Sequence, residues 1–205
     1  EDISQESPFA RDVRNGLTDF PKHLPSRYIY DKKGDLLFQR IMQMPEYYLT
    51  DCETEIFTSH KAAMARRLGQ CGSGFNLIEL GAGDGSKTKI LLGEMLRQGL
   101  QFRYQPVDIS ENALRGLSGR LREEFPGLTV VPRAGTYFDM LRKIDLEGEG
   151  PKAILFLGSN IGNLLHPQAR KFLLALSETM GPDDQLLIGF DQKKEPGTIL
   201  RAYND

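Results

Sequence analysis

The chain has 205 residues, 40% of them hydrophobic and 26% charged, the make-up of a globular domain long enough for one good-sized core. Its 26 basic and 28 acidic side chains leave a net charge of −2 with no long run of either sign, which argues against nucleic acid or an anionic membrane as the main partner. No apolar stretch approaches the roughly 18 residues of a membrane span, and the polar start EDISQESP shows no signal-peptide pattern, so a cytoplasmic location is expected. Cys52 and Cys71 are the only cysteines and His23, His60 and His166 are scattered, so no metal is expected and reduced thiols are favoured over a disulfide.

Residues 1–70 read as a helical region. A short helix over 8–16 precedes a connector with Pro21 and Pro25, and a second helix over 35–42 would turn Leu36, Leu37 and Ile41, with Met44 after it, to one apolar face. In PEYYLTDCETEIF, Thr50 and Glu53 have the T-x-x-E spacing of a capping box, in which each side chain satisfies a backbone N–H at the helix start. Ile56, Phe57, Met64 and Leu68 then recur at helical spacing, with Gly69 as the stop.

Residues 71–205 alternate strand and helix. Short apolar runs at 76–80, 102–107, 128–132, 153–157 and 185–190 predict strands buried on both faces. Helices are predicted over 87–97, 111–124 (with Ser110 as N-cap), 137–144 and 167–180, where a proline takes the first position. Such repetition builds an α/β domain with a parallel sheet and helices on both faces. The run LLIGF is followed only by a charged segment, so at a sheet margin it would expose an apolar edge. The chain therefore reads as a C-terminally incomplete domain whose continuation, carrying the last strands, covers that edge.

In LIELGAGDGSKTKILL the glycines at 81, 83 and 85 follow a strand and open a helix, so backbone can turn sharply and approach a ligand. The dinucleotide fingerprint places its third glycine one residue later, where this chain has Ser86. With Glu79 the run is E-x-G-x-G-x-G, similar to the first motif of Rossmann-like methyltransferases. Asp108, ending the second predicted strand in QPVDIS, can accept from the two ribose hydroxyls of an adenosine; it could instead serve the dipole of the next helix, but Ser110 already fills the cap. Lys87, at the opening turn of a helix, is unfavourable to the dipole unless an anion is near, and the carboxylate of S-adenosylmethionine is such an anion; a solvated surface lysine is the competing reading.

The blocks LPSRYIYDKKGDLLFQRIMQMPEYYLT, ELGAGDGSKTKILL, PVDIS, FLGSNIGNL and LLIGFDQKKEPGTILRAYND, in that order, resemble the histidine-specific methyltransferase family of ergothioneine biosynthesis, from about Phe9 to Asp205. The resemblance implies a class I methyltransferase sheet, S-adenosylmethionine as cofactor, a small-molecule amino-acid substrate, and methylation of the histidine α-amine to the trimethylated betaine hercynine. By position it implies that Gly81, Gly83, Lys87 and Asp108 bind the cofactor, and that Tyr47, Asn163 and Tyr203 bind substrate, Tyr47 also serving catalysis by accepting a hydrogen bond from the amine. From residue chemistry alone, Tyr47 could be interhelical packing, Asn163 a turn residue and Tyr203 a helix-face aromatic. The family commonly has an acidic residue followed by an aromatic to contact adenine; this chain has Thr136 and Tyr137 there. No histidine or carboxylate stands out as a base. The competing functions are methylation of another amino-acid-derived amine, such as a tryptophan derivative, a nicotinamide-dependent dehydrogenase, and a non-catalytic cofactor-binding module.

Overall fold

Six consecutive residues, Phe75–Leu80 (β1), are buried to the last side chain in the computed structural model, which describes residues 6–25, 28, 32–137, 139, 140, 142, 143 and 150–203. Burial of that kind needs cover on both faces of a sheet. Phe102–Asp108 (β2) runs parallel to β1, with Phe102 opposite Phe75. Thr129–Val130 (β3) and Arg133–Ala134 (β4) pair with β2 as two short pieces, where a single strand over 128–132 was expected. The reason is Pro132, which has no N–H to continue the ladder, although Val131 still donates to the Tyr104 carbonyl at 2.8 Å.

Lys152–Phe156 (β5) lies parallel to β1 on its other side, with Lys152 opposite Asn76, and Gln185–Ile188 (β6) pairs with β5. The order β3-β2-β1-β5-β6 reverses between β1 and β5. Ligands of such sheets bind beyond the strand ends at this reversal. β6 is the margin among the described residues; its pairing ends at Ile188, short of the expected 190, and Leu186 and Phe190 are exposed.

Three helices precede the sheet: Pro8–Thr18 (α1), Lys32–Ile41 (α2) and Leu49–Leu68 (α3). Ser7 Oγ caps α1 by accepting from Ala10 N–H at 3.2 Å. The expected apolar face of α2 is wrong, because Leu36, Leu37 and Ile41 are exposed and Phe38 is the ring that meets Tyr47, at 6.3 Å. The capping box is also corrected: α3 starts at Leu49, so Thr50 and Glu53 lie inside the helix and its N-cap, Tyr48, makes no side-chain cap. α3 does stop at Gly69, its C-cap, as expected; that residue stays right-handed at φ −62°, Gly69–Cys71 form a 3-10 turn, and Gly72 makes the left-handed reversal at φ +105°.

Thr88–Arg97 (α4) and Glu111–Glu124 (α5) join β1 to β2 and β2 to β3, and Ser110 Oγ caps α5 as predicted, accepting from Ala113 N–H at 3.2 Å. His166–Thr179 (α6) joins β5 to β6, and Pro196–Tyr203 (α7) follows. The helix expected over 137–144 falls partly outside the described residues, within which 137, 139, 140, 142 and 143 are helical. Neighbouring β1 residues feed opposite cores. Leu77 packs with Phe57 and Leu68 of α3, Leu91 of α4 and Leu117 of α5, whereas Ile78 packs with Phe156 and with Phe172 and Leu176 of α6. Burying each such side chain contributes on the order of 1.5–3 kcal/mol. No helix among the described residues is long and apolar enough to cross a membrane.

Candidate active site

Each glycine of the loop after β1 serves a different need. Gly81 has φ +78°, and a Cβ there would stand 2.6 Å from Tyr137 Oη and 3.1 Å from Asn160 Nδ2, so only hydrogen fits. A Cβ on Gly85 would overlap Leu117 of α5, so that glycine closes the core beneath the loop. Gly83 faces open space and instead supplies its N–H, which donates to Asp108 Oδ2 at 2.9 Å. The other oxygen, Oδ1, accepts from Ser110 N–H at 2.9 Å. Asp108 therefore ties the glycine turn to the start of α5 and is not turned away into solvent.

Glu79 lies buried under the loop, accepting from Thr88 Oγ1 at 2.6 Å and from the Tyr104 hydroxyl. Burial pushes its carboxyl up to about 7, against the opposing pull of those two hydrogen bonds. Burial likewise raises the Tyr104 hydroxyl, helped by the Glu79 charge.

A cleft of about 580 Å³ opens above the β1–β5 reversal. Eight of the nine residues expected to bind ligands line it: Tyr47, Gly81, Gly83, Lys87, Asp108, Thr136, Tyr137 and Asn163. The ninth, Tyr203, does not line it; it sits outside, 62% exposed, with its ring edge-on to Tyr47 at 5.8 Å.

Several of the eight have engagements the sequence did not announce. Thr136 donates to Asp139 Oδ2 at 2.7 Å and accepts from Asp139 N–H at 3.3 Å, the reciprocal pattern of a helix cap. Tyr137 packs its ring on Phe156 and Phe172, with centroids 5.4 and 6.0 Å away. Asn163 closes the 3-10 turn Asn160–Asn163, with its Nδ2 3.5 Å from Asn160 Oδ1. Lys87, the residue before α4, is ion-paired with Glu53. Glu53 Oε1 also accepts from Gly158 N–H at 2.7 Å, which is why this carboxylate turns to the end of the sheet and not to the start of its own helix.

The PEYY segment is pinned to the far wall by its second tyrosine. Tyr48 Oη donates to Asp191 Oδ2 at 2.6 Å, and Lys194 stands 4.2 Å over the Tyr48 ring. Asp191 N–H donates to Ser159 Oγ at 3.0 Å, beside Gly158. Burial and the bond to Asp191 raise the Tyr48 hydroxyl above its usual value. Sequence reasoning missed Glu53, Asn160 and Asp191 in these roles. The first was hidden by a plausible cap pattern, and the second by choosing the other asparagine of GSNIGNL.

Parallel strands reversing beside a glycine turn, with an acidic side chain ending the second strand, define a Rossmann-like fold. In keeping with that class, the fold is similar to a crystal structure of a putative methyltransferase from Thermobifida fusca YX, with a TM-score of 0.55 and 16% identity over 83% of this chain and 65% of that one. The family described as histidine-specific methyltransferase, SAM-dependent, matches residues 9–205, and the chain belongs to it. Among its relatives are a histidine N-alpha-methyltransferase of Mycolicibacterium smegmatis, 38% identical over 95% of this chain, and ergothioneine biosynthesis protein 1 of Neurospora crassa, 35% identical over 91%. The chain spans 59% of the length of the first and 21% of the second.

Proposed function

We propose that this protein is an S-adenosylmethionine-dependent N-methyltransferase acting on the α-amine of L-histidine, which it carries to the trimethylated betaine. Membership of the family supports the cofactor and the substrate. The observation that carries the reading is the Asp108–Gly83 hydrogen bond, because it sets a carboxylate beside the glycine turn in a cleft that Tyr47 and Asn163 also line.

The residues fit an adenosyl amino acid. Asp108 would accept from ribose hydroxyls, Gly81 gives room where any side chain would clash, and Lys87 would meet the carboxylate. Thr136 and Tyr137 stand at the adenine position, Thr136 with its hydroxyl bonded to Asp139. When bound, the cofactor supplies a methyl group on a sulfonium sulfur that departs as a neutral thioether.

The chain's own work is alignment and exclusion of water. Tyr47, buried between Phe38 and Tyr203, would orient the amine, whose nitrogen must have lost a proton before its lone pair can act. Asn163 offers both a donor and an acceptor to a zwitterionic substrate. The helical region of residues 1–70 thus furnishes one wall of the substrate site and residues 71–205 the cofactor site. Full-length protein given methyl-labelled cofactor and each common amino acid should label histidine alone, in products of one, two and three added methyl groups. Label on tryptophan but not histidine would replace the substrate, and no label on any amine would reduce the protein to a binding module.

A further inference from the structure

Glu53 is a charged side chain that α3 sends to the end of the sheet. It comes from α3, yet both of its oxygens are held by the strand–helix unit: Oε1 by Gly158 N–H at 2.7 Å, and Oε2 by the Lys87 ammonium. The Glu53 and Lys87 side chains are 14% and 19% exposed, so the pair is largely withdrawn from water. A carboxylate so placed needs its partners, because an unpaired buried charge is strongly disfavoured. Gly189 makes room for it, since a Cβ there would stand 2.5 Å from Glu53 Oε1.

We propose that Glu53 is a positioning residue for the cofactor's amino-acid end, fixing the Lys87 ammonium so that its remaining N–H donors face the cofactor carboxylate. The inference rests on the assignment of Lys87 made above. A lysine head is a point charge on a four-carbon stem and has three donors. With one donor directed at a carboxylate that is itself held by Gly158, the head is confined to the β1–β5 reversal. Without that anchor, confinement would have to be imposed when the ligand binds, at the expense of affinity. Glutamine at 53 can still accept from Gly158 N–H but offers no charge to the ammonium.

Two ligands separate positioning from simple structural support: S-adenosylhomocysteine, which has the amino-acid end, and methylthioadenosine, which lacks it. In full-length protein, Glu53→Gln should weaken the first about tenfold by titration calorimetry and leave the second within about twofold. Lys87→Met should show the same pattern, and the double variant should be no weaker than Lys87→Met alone, since Glu53 acts through Lys87. Equal weakening of both ligands, unchanged S-adenosylhomocysteine affinity, or additive losses in the double variant would each overturn the role of Glu53. If Lys87→Met leaves S-adenosylhomocysteine binding intact, the assignment of Lys87 fails and the inference with it. A wild-type protein that binds neither ligand would remove the proposed function itself.

Discussion

Asp108 and Gly83 belong to different strand–helix units, yet a 2.9 Å hydrogen bond joins the carboxylate of one to the backbone N–H of the other. The bond holds a negative charge beside the glycine turn. A charge-assisted bond of this kind contributes about 1.5–3 kcal/mol.

Removing that carboxylate should be felt first by the cofactor. Asp108→Ala is expected to weaken S-adenosylmethionine binding by about tenfold or more in calorimetric titration, through loss of both a ligand contact and the tether on the turn. Undiminished affinity would sink the ribose assignment.

The glycines of the turn should differ in sensitivity. Gly81→Ala combines a left-handed φ of +78° with a clash against Tyr137 Oη, whereas Gly83→Ala, at φ +55°, meets no neighbour within 4 Å. Gly83→Ala should therefore cost about 1–2 kcal/mol of conformational strain, and Gly81→Ala more. Thermal melts of the two variants give the comparison, and equal losses would contradict the close approach at Gly81.

Glu79 predicts a pH dependence of stability. Its folded value of about 7 lies above the ordinary 4.5, so between these values the folded protein keeps a proton that the unfolded chain has released. The contribution is fully present below the unfolded value and is lost as pH rises through the folded one, by at most about 3 kcal/mol. Glu79→Gln cannot ionise and should lose less stability than wild type between pH 5 and pH 8 in urea melts. Parallel pH slopes for the two proteins would assign the effect elsewhere.

Asn163 lines the cleft, exposed and bonded only weakly to Asn160. Asn163→Ala should raise KM for the amine substrate about five- to tenfold while leaving the cofactor dissociation constant nearly unchanged. Equal loss of both would move Asn163 out of the substrate role.

The sheet was readable because its strands are short uninterrupted apolar runs, and no helix pattern competes with LIEL or AILFL. The turn was readable because glycines at 81, 83 and 85 are expensive unless φ is positive, as it is at all three. What sequence could not reveal was partnership across long separations. Glu53 satisfied a local cap pattern, but Lys87 and the Gly158 amide, 34 and 105 residues away, offered it stronger bonds. The place of Tyr203 was hidden for a related reason: periodicity can put an aromatic on a helix, but not say that its ring packs edge-on against Tyr47. The exposed face of α2 shows the same limit, since apolar spacing does not reveal what a face packs against.

β1 has a further consequence. The glycine turn leaves the most enclosed strand of the sheet, and its first two amides, at Gly81 and Ala82, donate to the Val107 carbonyl at 2.8 and 3.1 Å. Those amides should surrender their hydrogens to deuterated solvent only when the whole domain opens, while amides of α2, whose Leu36 and Leu37 side chains are exposed, exchange during small local excursions.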